Sequence, residues 1–257
     1  MKKILSATLF AFVALFTAPA SAEELVTSLS ADMVSIQSNF TGTKIVIFGQ
    51  VGRDVHTIGR PGKYDLAITV EGQKHDITTR RKARLAGVWV NRYYETFTHV
   101  PTFYAVATTR PVAELANRNT LDELQLGLNH INLAVTGRSH VPLSDRDDFR
   151  RAFLRLRQEQ GLYIEQERSI EFLTDTMFRT TVGLPANIPV GNYTVRSFLF
   201  QDGSLISKTQ APLRVAKSGF EQITYDMANR QPLLYGVIAV AIAMLTGWFA
   251  GVIFRKD

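Results

Sequence analysis

The segment Tyr64–Glu71 reads YDLAITVE, with an apolar side chain at every second position from Tyr64 to Val70. Successive side chains of a strand point to opposite faces, so this alternation predicts a β-strand with one buried face. Gly72 follows directly, and we expect it to turn the chain into a hairpin with residues 74–80.

Two further segments extend this pattern. Ile45–Phe48 is a continuous apolar run, which predicts a central strand covered on both faces. Residues 191–200 and 205–215 are strand candidates joined by the turn sequence QDGS, which predicts a second hairpin. Short strands with frequent turns favour a mainly β fold, an Ig-like antiparallel β-sandwich, over alternating βαβ units.

One helix interrupts the strands. Residues 145–160 carry three aspartates in the first turn, where the helix dipole favours anions, and Ser144 is the expected cap. Residues at helical spacing give this helix an apolar stripe that should pack on the sheet: Phe149, Ala152, Phe153 and Leu156. We therefore expect one domain over 23–218 with a helical insertion at about 111–161.

The first 22 residues have the three parts of an export signal. Lys2 and Lys3 precede an apolar run, and the segment ends in the cleavage pattern Ala20-Ser21-Ala22. We expect residues 1–22 to be removed, so that the mature chain begins at Glu23 in the periplasm.

Residues 233–254 contain no charged side chain, and this stretch is long enough for one transmembrane helix. Arg255 and Lys256 follow, as expected of a cytoplasmic flank. The sequence thus predicts a juxtamembrane segment at 219–232, a span at 233–254 and a cytoplasmic tail at 255–257. The protein would be a single-pass protein of a bacterial inner membrane with its bulk in the periplasm.

Small residues recur at intervals of four along this span and predict a helix-packing face: Ala239, Ala243, Gly247 and Gly251. A face without bulk lets a second helix approach closely, and packing drives association in lipid. The partner would be an integral membrane protein or a second copy of the chain.

Composition excludes several classes of function. The chain has no cysteine, so disulfides, thiol nucleophiles and thiolate metal sites are absent. The formal charge is +6, and it falls to +3, from 25 basic and 22 acidic residues, when Lys2, Lys3, Arg255, Lys256 and Asp257 are set aside. This mild excess does not indicate a nucleic-acid partner.

The sequence contains no recognisable catalytic motif, so we expect neither an enzyme nor a cofactor. The five histidines show no metal-ligand spacing, although His56, His75 and Asp76 leave a site assembled by folding open. Segment 89–104 is dense in aromatic residues and leaves open a periplasmic enzyme or small-ligand cleft: Trp89, Tyr93, Tyr94, Phe97, Phe103 and Tyr104.

A basic run precedes the aromatic segment and comprises Arg80, Arg81, Lys82 and Arg84. Such a run binds lipid head groups or an acidic partner, or it is simply a solvated strand end. Both interpretations remain open on the sequence alone.

Six short segments occur in a characteristic order: RRKAR at 80–84, GVWVN at 87–91, VPTFYAVA at 100–107, RLRQEQGLY at 155–163, LPANIPVGNYTV at 184–195 and QPLLYG at 231–236. Together they resemble the alphaproteobacterial putative transmembrane protein family over nearly the whole mature chain. The resemblance implies an export signal, a C-terminal anchor and an association with sulfite-exporter-type permeases. It supplies no catalytic residues. We therefore expect a non-catalytic, membrane-anchored interaction module, an accessory subunit of an inner-membrane transporter or envelope complex.

Overall fold

The computed structural model describes residues 23–52, 64–135, 141–218 and 227–253. They form a mainly β structure with three sheets and a C-terminal apolar helix, which confirms the predicted fold class. The predicted signal peptide 1–22, the candidate ligand His56 and the tail 255–257 lie outside the described residues.

Two sheets form the sandwich. The first contains β1 (Glu24–Leu29), β3 (Gly42–Gly52), β10 (Glu171–Phe172) and β11 (Met177–Pro185), in the order β1-β3-β11-β10. The second contains β2 (Met33–Ile36), β4 (Asp65–Glu71), β7 (Tyr104–Thr108), β9 (Tyr163–Gln166), β12 (Gly191–Gln201) and β13 (Ser204–Lys217), in the order β2-β13-β12-β4-β7-β9. Each sheet contains strands from both halves of the chain.

The third sheet contains β5 (Lys74–Leu85), β6 (Val88–Pro101) and β8 (Ala134–Val135). The α-helices among the described residues are α1 (Val112–Leu115), α2 (Arg118–Leu124), α3 (Arg146–Glu159) and α4 (Pro232–Ile253). Most strand pairs are antiparallel, but the two edge pairs of the second sheet, β13 with β2 and β7 with β9, are parallel.

The main core lies between the first two sheets. Ile47 of the first sheet and Leu66, Ile68 and Val195 of the second are almost fully buried there. A smaller cluster on the outer side of the second sheet packs Ala67, Phe198 and Phe200 against α1 and α2. The helices between β7 and β9 therefore cover a face that an isolated sandwich would expose.

Because α1 and α2 cover the outer side of the second sheet, the prediction that β4 has one buried face is wrong. All seven residues of β4 are buried, so the strand has two buried faces rather than one. On its outer face, Asp65 pairs with Arg110 and Glu71 pairs with Arg196, which compensates for burial of the two carboxylates. Burial lowers the pKa of Arg196 from its usual value.

The opposite error occurs in β3. Ile45 and Ile47 are buried, but Phe48 is 44% exposed, so the apolar run is covered on one face only. β3 is central in its sheet, between β1 and β11, as predicted. The continuous apolar run predicted the position of the strand correctly, but the prediction that both of its faces are buried was wrong.

The predicted hairpin at Gly72 is also wrong. Gly72 donates its N–H to the carbonyl of Phe103 (2.9 Å), and Thr102 donates to the carbonyl of Gln73 (2.9 Å), so the β4–β7 pairing runs on into β5 and β6. The chain reverses instead at Ala86 and Gly87. The second predicted hairpin is confirmed, since β12 and β13 are joined at Asp202 and Gly203.

The predicted helix at 145–160 corresponds to α3, with two differences at its surface. Asp145, not Ser144, occupies the cap position, and the Ser144 hydroxyl donates to the Asp145 carboxylate (2.8 Å) instead. Phe149 and Phe153 are buried as expected, but Leu156 is 42% exposed. The stripe is therefore shorter than the periodicity predicted.

Candidate functional site

The β5–β6 hairpin, which we call the arm (residues 74–101), extends beyond the sandwich. Two backbone hydrogen bonds at Gly72 and Thr102 join it to the β4–β7 ladder, and its register shifts between His75 and Ile77. β5 alone has 12 residues, or about 40 Å of strand. The arm is thus a two-stranded projection of the second sheet.

Helix α3 supports the base of the arm. The rings of Phe97 and Phe153 lie 5.2 Å apart, and Phe153 also contacts Tyr163 of β9 at 5.8 Å. Further out, the guanidinium of Arg81 lies 5.3 Å from the ring centroid of Phe149 and bonds Asp145 (2.6 Å). This hydrogen bond holds the pKa of Asp145 below its usual value.

The strands reverse in a two-residue turn. Ala86 has a φ of 48° and Gly87 a φ of 87°, both in the left-handed region, as a type I′ turn requires. Leu85 pairs with Val88 directly before and after this turn. The turn twists with the strands and so allows regular pairing to the end of the arm.

Strand register divides the distal arm into two sides, because residues opposite each other in a ladder share a face. The apolar side lies on the face that packs on α3 nearer the base, and it consists of Ala83, Leu85, Val88 and Val90. The basic side faces away from α3 and carries Arg80, Lys82 and Arg84 with Trp89, Asn91 and Tyr94. A bulge at Arg92 keeps this division along both strands.

Both sides are exposed. Val88 is 63% and Leu85 57% exposed on the apolar side, and Trp89 is 66% exposed on the basic side. Large apolar side chains grouped in this way, unlike single ones, mark interaction surfaces.

Within the described part of the chain, the arginines and lysine at 80–92 have no carboxylate partner, with one exception, although Arg84 donates to the carbonyl of Gly87 (3.4 Å) and Arg92 lies over the ring of Tyr93. Arg81 is paired with Asp145, whereas Arg80, Lys82, Arg84 and Arg92 have no carboxylate within 4 Å there. Residues 80–94 include no Asp or Glu. The basic run is therefore divided: Arg81 holds the arm to α3, and the other three cations of the run face outward.

The arm leaves the sandwich at a defined end. Thr194 of β12 pairs with Glu71, the last residue of β4, and Gly191 at the start of β12 pairs with Val215 near the end of β13. The end of β4 and the end of β13 therefore lie together, and we call this the anchor end.

The chain also leaves for its apolar helix from the anchor end. β13 ends at Lys217, and α4 begins at Pro232. Arg230, just before α4, lines the same surface groove as Gln73 and Lys217, at the base of the arm. The arm and the apolar helix thus start from one end of the sandwich.

Helix α4 has the properties of a membrane span. Residues Pro232–Gly251 have a mean hydropathy of 2.1, and no part of this stretch is buried against the rest of the structure. Thr246, a polar residue within it, donates its hydroxyl to the carbonyl of Ile242 (2.7 Å), which satisfies the group without water. The predicted packing residues Ala239, Ala243, Gly247 and Gly251 lie on this helix.

The aromatic residues at 89–104 do not share one environment. Phe97, Phe103 and Tyr104 are buried and contact the rings of Phe153, Tyr193 and Tyr163, respectively. Tyr93 is half-buried beneath Arg81, whereas Trp89 and Tyr94 are exposed on the arm. The segment runs from the arm into the core, so its aromatic residues are divided between the exposed arm and the buried core.

Of the candidate metal ligands, only His75 and Asp76 lie within the described residues. Asp76 accepts a hydrogen bond from the backbone N–H of His99 (3.1 Å), and His75 is exposed. Among the described residues, no three His, Cys, Asp or Glu side chains are grouped closely enough to hold a metal ion.

Sequence reasoning missed the apolar side of the arm. Val88 and Val90 lie in the segment GVWVN, and their exposure follows from the reach of the arm beyond α3. The available signal was Ala86-Gly87 between two apolar residues, which is weak because alanine is an uncommon turn residue.

Comparison with known proteins agrees with this architecture. The model of a family described as "Putative transmembrane protein (Alph_Pro_TM)" matches residues 24–256. No curated protein matches the chain. The family match covers both the sandwich with its arm and helix α4, and the chain therefore belongs to this alphaproteobacterial transmembrane protein family.

Proposed function

We propose that this protein is a non-catalytic, membrane-anchored periplasmic interaction module that serves as an accessory subunit of an inner-membrane transporter or envelope complex. The observation that carries the proposal is the arm, which presents an exposed apolar side at the end of the sandwich joined to α4. A surface so placed is suited to an integral membrane partner.

The packing of the arm supports this assignment. Contacts with α3 and β8 hold its base, so the exposed position of Leu85 and Val88 does not depend on a mobile loop. A rigid projection loses little conformational freedom on binding, which favours affinity. The resemblance noted above makes sulfite-exporter-type permeases the first partner class to test.

The periplasmic address rests on the sequence. The export pattern at residues 1–22 and the cations Arg255 and Lys256 after the span support a cytoplasmic C-terminus. A reporter that is active only in the periplasm should function when fused after Val215 and be inactive when fused after Asp257. The reverse result would overturn the orientation.

Crosslinking in native membranes tests the interaction. A photoreactive amino acid at Val88 should give an adduct with an integral membrane protein. The same probe at Asp202, in the turn at the opposite end of β12 and β13, should not. Equal adducts at the two positions, or none at Val88, would contradict the proposed role of the arm. An adduct between two copies of the chain would replace the accessory role with self-association.

A further inference from the structure

The basic side of the arm has a composition different from that of the apolar side. Arg80, Lys82 and Arg84 alternate along one strand and project on the same face, about 7 Å apart. Trp89 lies directly opposite Arg84, and Tyr94 lies opposite Arg80. One face therefore combines three cations with two exposed amphipathic rings.

This combination matches the chemistry of a phospholipid head-group layer. Arginine and lysine bind phosphate oxygens, and tryptophan and tyrosine favour the boundary between water and hydrocarbon. An acidic protein surface would also satisfy the cations, and tryptophan is common at protein interfaces, so the composition of this side alone does not choose lipid. Lipid accounts for both kinds of side chain.

The position of the arm supplies the second argument. It leaves the sandwich at the anchor end, where Arg230 and the base of the arm border one groove. A bilayer that holds α4 is consequently close to the origin of the arm. The unpaired cations of the arm would then lie within reach of its anionic surface.

We propose that Arg80, Lys82, Arg84 and Trp89 seat the arm on the anionic phospholipid head groups of the membrane that holds α4. This inference rests on the proposed function, because it leaves the apolar side free for the protein partner. The arm then fixes the tilt of the sandwich on the membrane, and it would hold Leu85 and Val88 at a constant distance from the bilayer surface.

The fluorescence of Trp89 offers a direct test, because the chain contains only one other tryptophan, Trp248 of α4. The full protein carrying Trp248→Phe is reconstituted into vesicles of phosphatidylcholine alone, or of phosphatidylcholine mixed with phosphatidylglycerol. Trp89 emission should shift to the blue, and quenching by brominated lipid should appear, only with phosphatidylglycerol. High salt should reverse both effects by screening the cations.

A matched pair of triple variants isolates the charges. Replacing Arg80, Lys82 and Arg84 by Gln should lower the equilibrium constant for seating the arm on the lipid, measured from Trp89 emission, about five-fold for each cation removed. The control replaces three exposed cations outside the arm by Gln, namely Arg118, Arg168 and Lys208, and should behave like the parent.

Three results would overturn the inference. They are equal Trp89 emission in the two lipid mixtures, no effect of removing the three arm cations, or a blue shift of Trp89 emission that depends on the protein-to-lipid ratio. The last would indicate a second copy in place of lipid. Because these vesicles contain no partner protein, the outcome is independent of the Val88 crosslinking result. Failure here with a positive crosslink would leave the proposed function intact.

Discussion

Strands β4 and β5 are consecutive strands whose ladders are joined by backbone hydrogen bonds at Gly72 and Gln73, yet their surroundings are opposite. Every residue of β4 is buried, whereas Thr79 is the only buried residue of β5. β4 has the first sheet on one side and α1 with α2 on the other. β5 has α3 against one face of its base, and its distal end extends beyond that helix.

The difference shows that pairing and burial have separate causes in this molecule. Strand pairing extends from β4 and β7 to the tip of the arm, with register shifts after His75 and Arg81, but hydrophobic stabilisation stops where the covering elements end. Side chains in β4 therefore contribute to folding. Side chains at the end of β5 contribute little to it, which leaves them available for binding.

The largest expected effect compares Ile68 of β4 with Val88 of β6. Ile68→Ala removes a fully buried side chain and should reduce the free energy of unfolding by about 2–5 kcal/mol. Val88→Ala should reduce it by less than about 1 kcal/mol, because that side chain is exposed. Chemical denaturation of the detergent-solubilised protein measures both. Similar losses would mean that the arm is buried in solution.

Glycines sharpen the same comparison. A Cβ at Gly49 of β3 would lie 2.2 Å from the carbonyl oxygen of Val26 and 2.6 Å from the ring of Phe178. Gly49→Ala should therefore destabilise the sandwich by about 1–3 kcal/mol through overpacking. Gly87→Ala meets no atom within 4 Å and should cost about 1 kcal/mol, because of its positive φ alone.

The melting temperatures of these two variants, followed by circular dichroism, provide the measurement. Gly183→Ala serves as the control, since a Cβ there would also meet nothing within 4 Å and its φ is ordinary for an L-residue. A loss for Gly183→Ala as large as that for Gly49→Ala would refute the packing argument.

The sequence predicted the positions of the strands better than it predicted which of their faces are buried. The alternation in Tyr64–Glu71 located β4, but its second cover comes from α1 and α2, which no local pattern in β4 reveals. The apolar run at Ile45–Phe48 located β3, but Phe48 lies on an outer face that no described element covers. Periodicity reports local geometry, whereas burial depends on elements distant in sequence.

The arm was predicted only in part, for a related reason. Its basic run was identified from the sequence, but the turn was expected at Gly72, so the length of the arm was missed. Gly72 instead lies in the ladder near Thr102, where a Cβ would approach the Thr102 hydroxyl to 2.6 Å. Close packing explains this glycine, and the actual turn uses Ala86 at a position that normally favours Asn or Gly.

Helix α4 extends the comparison to a third surface, which is exposed without being part of the sandwich. A Cβ at Gly247 or Gly251 would meet nothing within 4 Å, so Leu at either position leaves the protein's own packing unchanged. If the small-residue face packs against another helix, each variant should weaken that association by about 1 kcal/mol. Crosslinking in native membranes should then fall.

The matched control is Ile242→Leu, a substitution of similar volume elsewhere on α4. Its crosslinking should equal that of the parent. Equal crosslinking in all three variants would show that the small residues reflect membrane composition rather than contact.

The smallest expected effect concerns the ion pair between Arg81 of the arm and Asp145, the residue that precedes α3. Asp145→Asn removes the carboxylate that bonds Arg81 and should loosen the arm without unfolding the sandwich. The pKa of Asp145 is lowered in the folded protein, so the pair stabilises the fold above the ordinary aspartate pKa of about 3.9. The contribution is lost as the pH falls below that value, through the lowered folded pKa.

Amide hydrogen exchange in β5 and β6 can resolve this local effect. The difference in protection between the parent and Asp145→Asn should be constant near neutral pH and should vanish once the parent's Asp145 is protonated. Asp148→Asn is the control, because Asp148 pairs with Arg151 within α3 and does not reach the arm. A difference that persists at low pH would mean that packing of Arg81 on Phe149, rather than charge, holds the arm to the helix, and Arg81→Met should then preserve protection where Arg81→Ala does not.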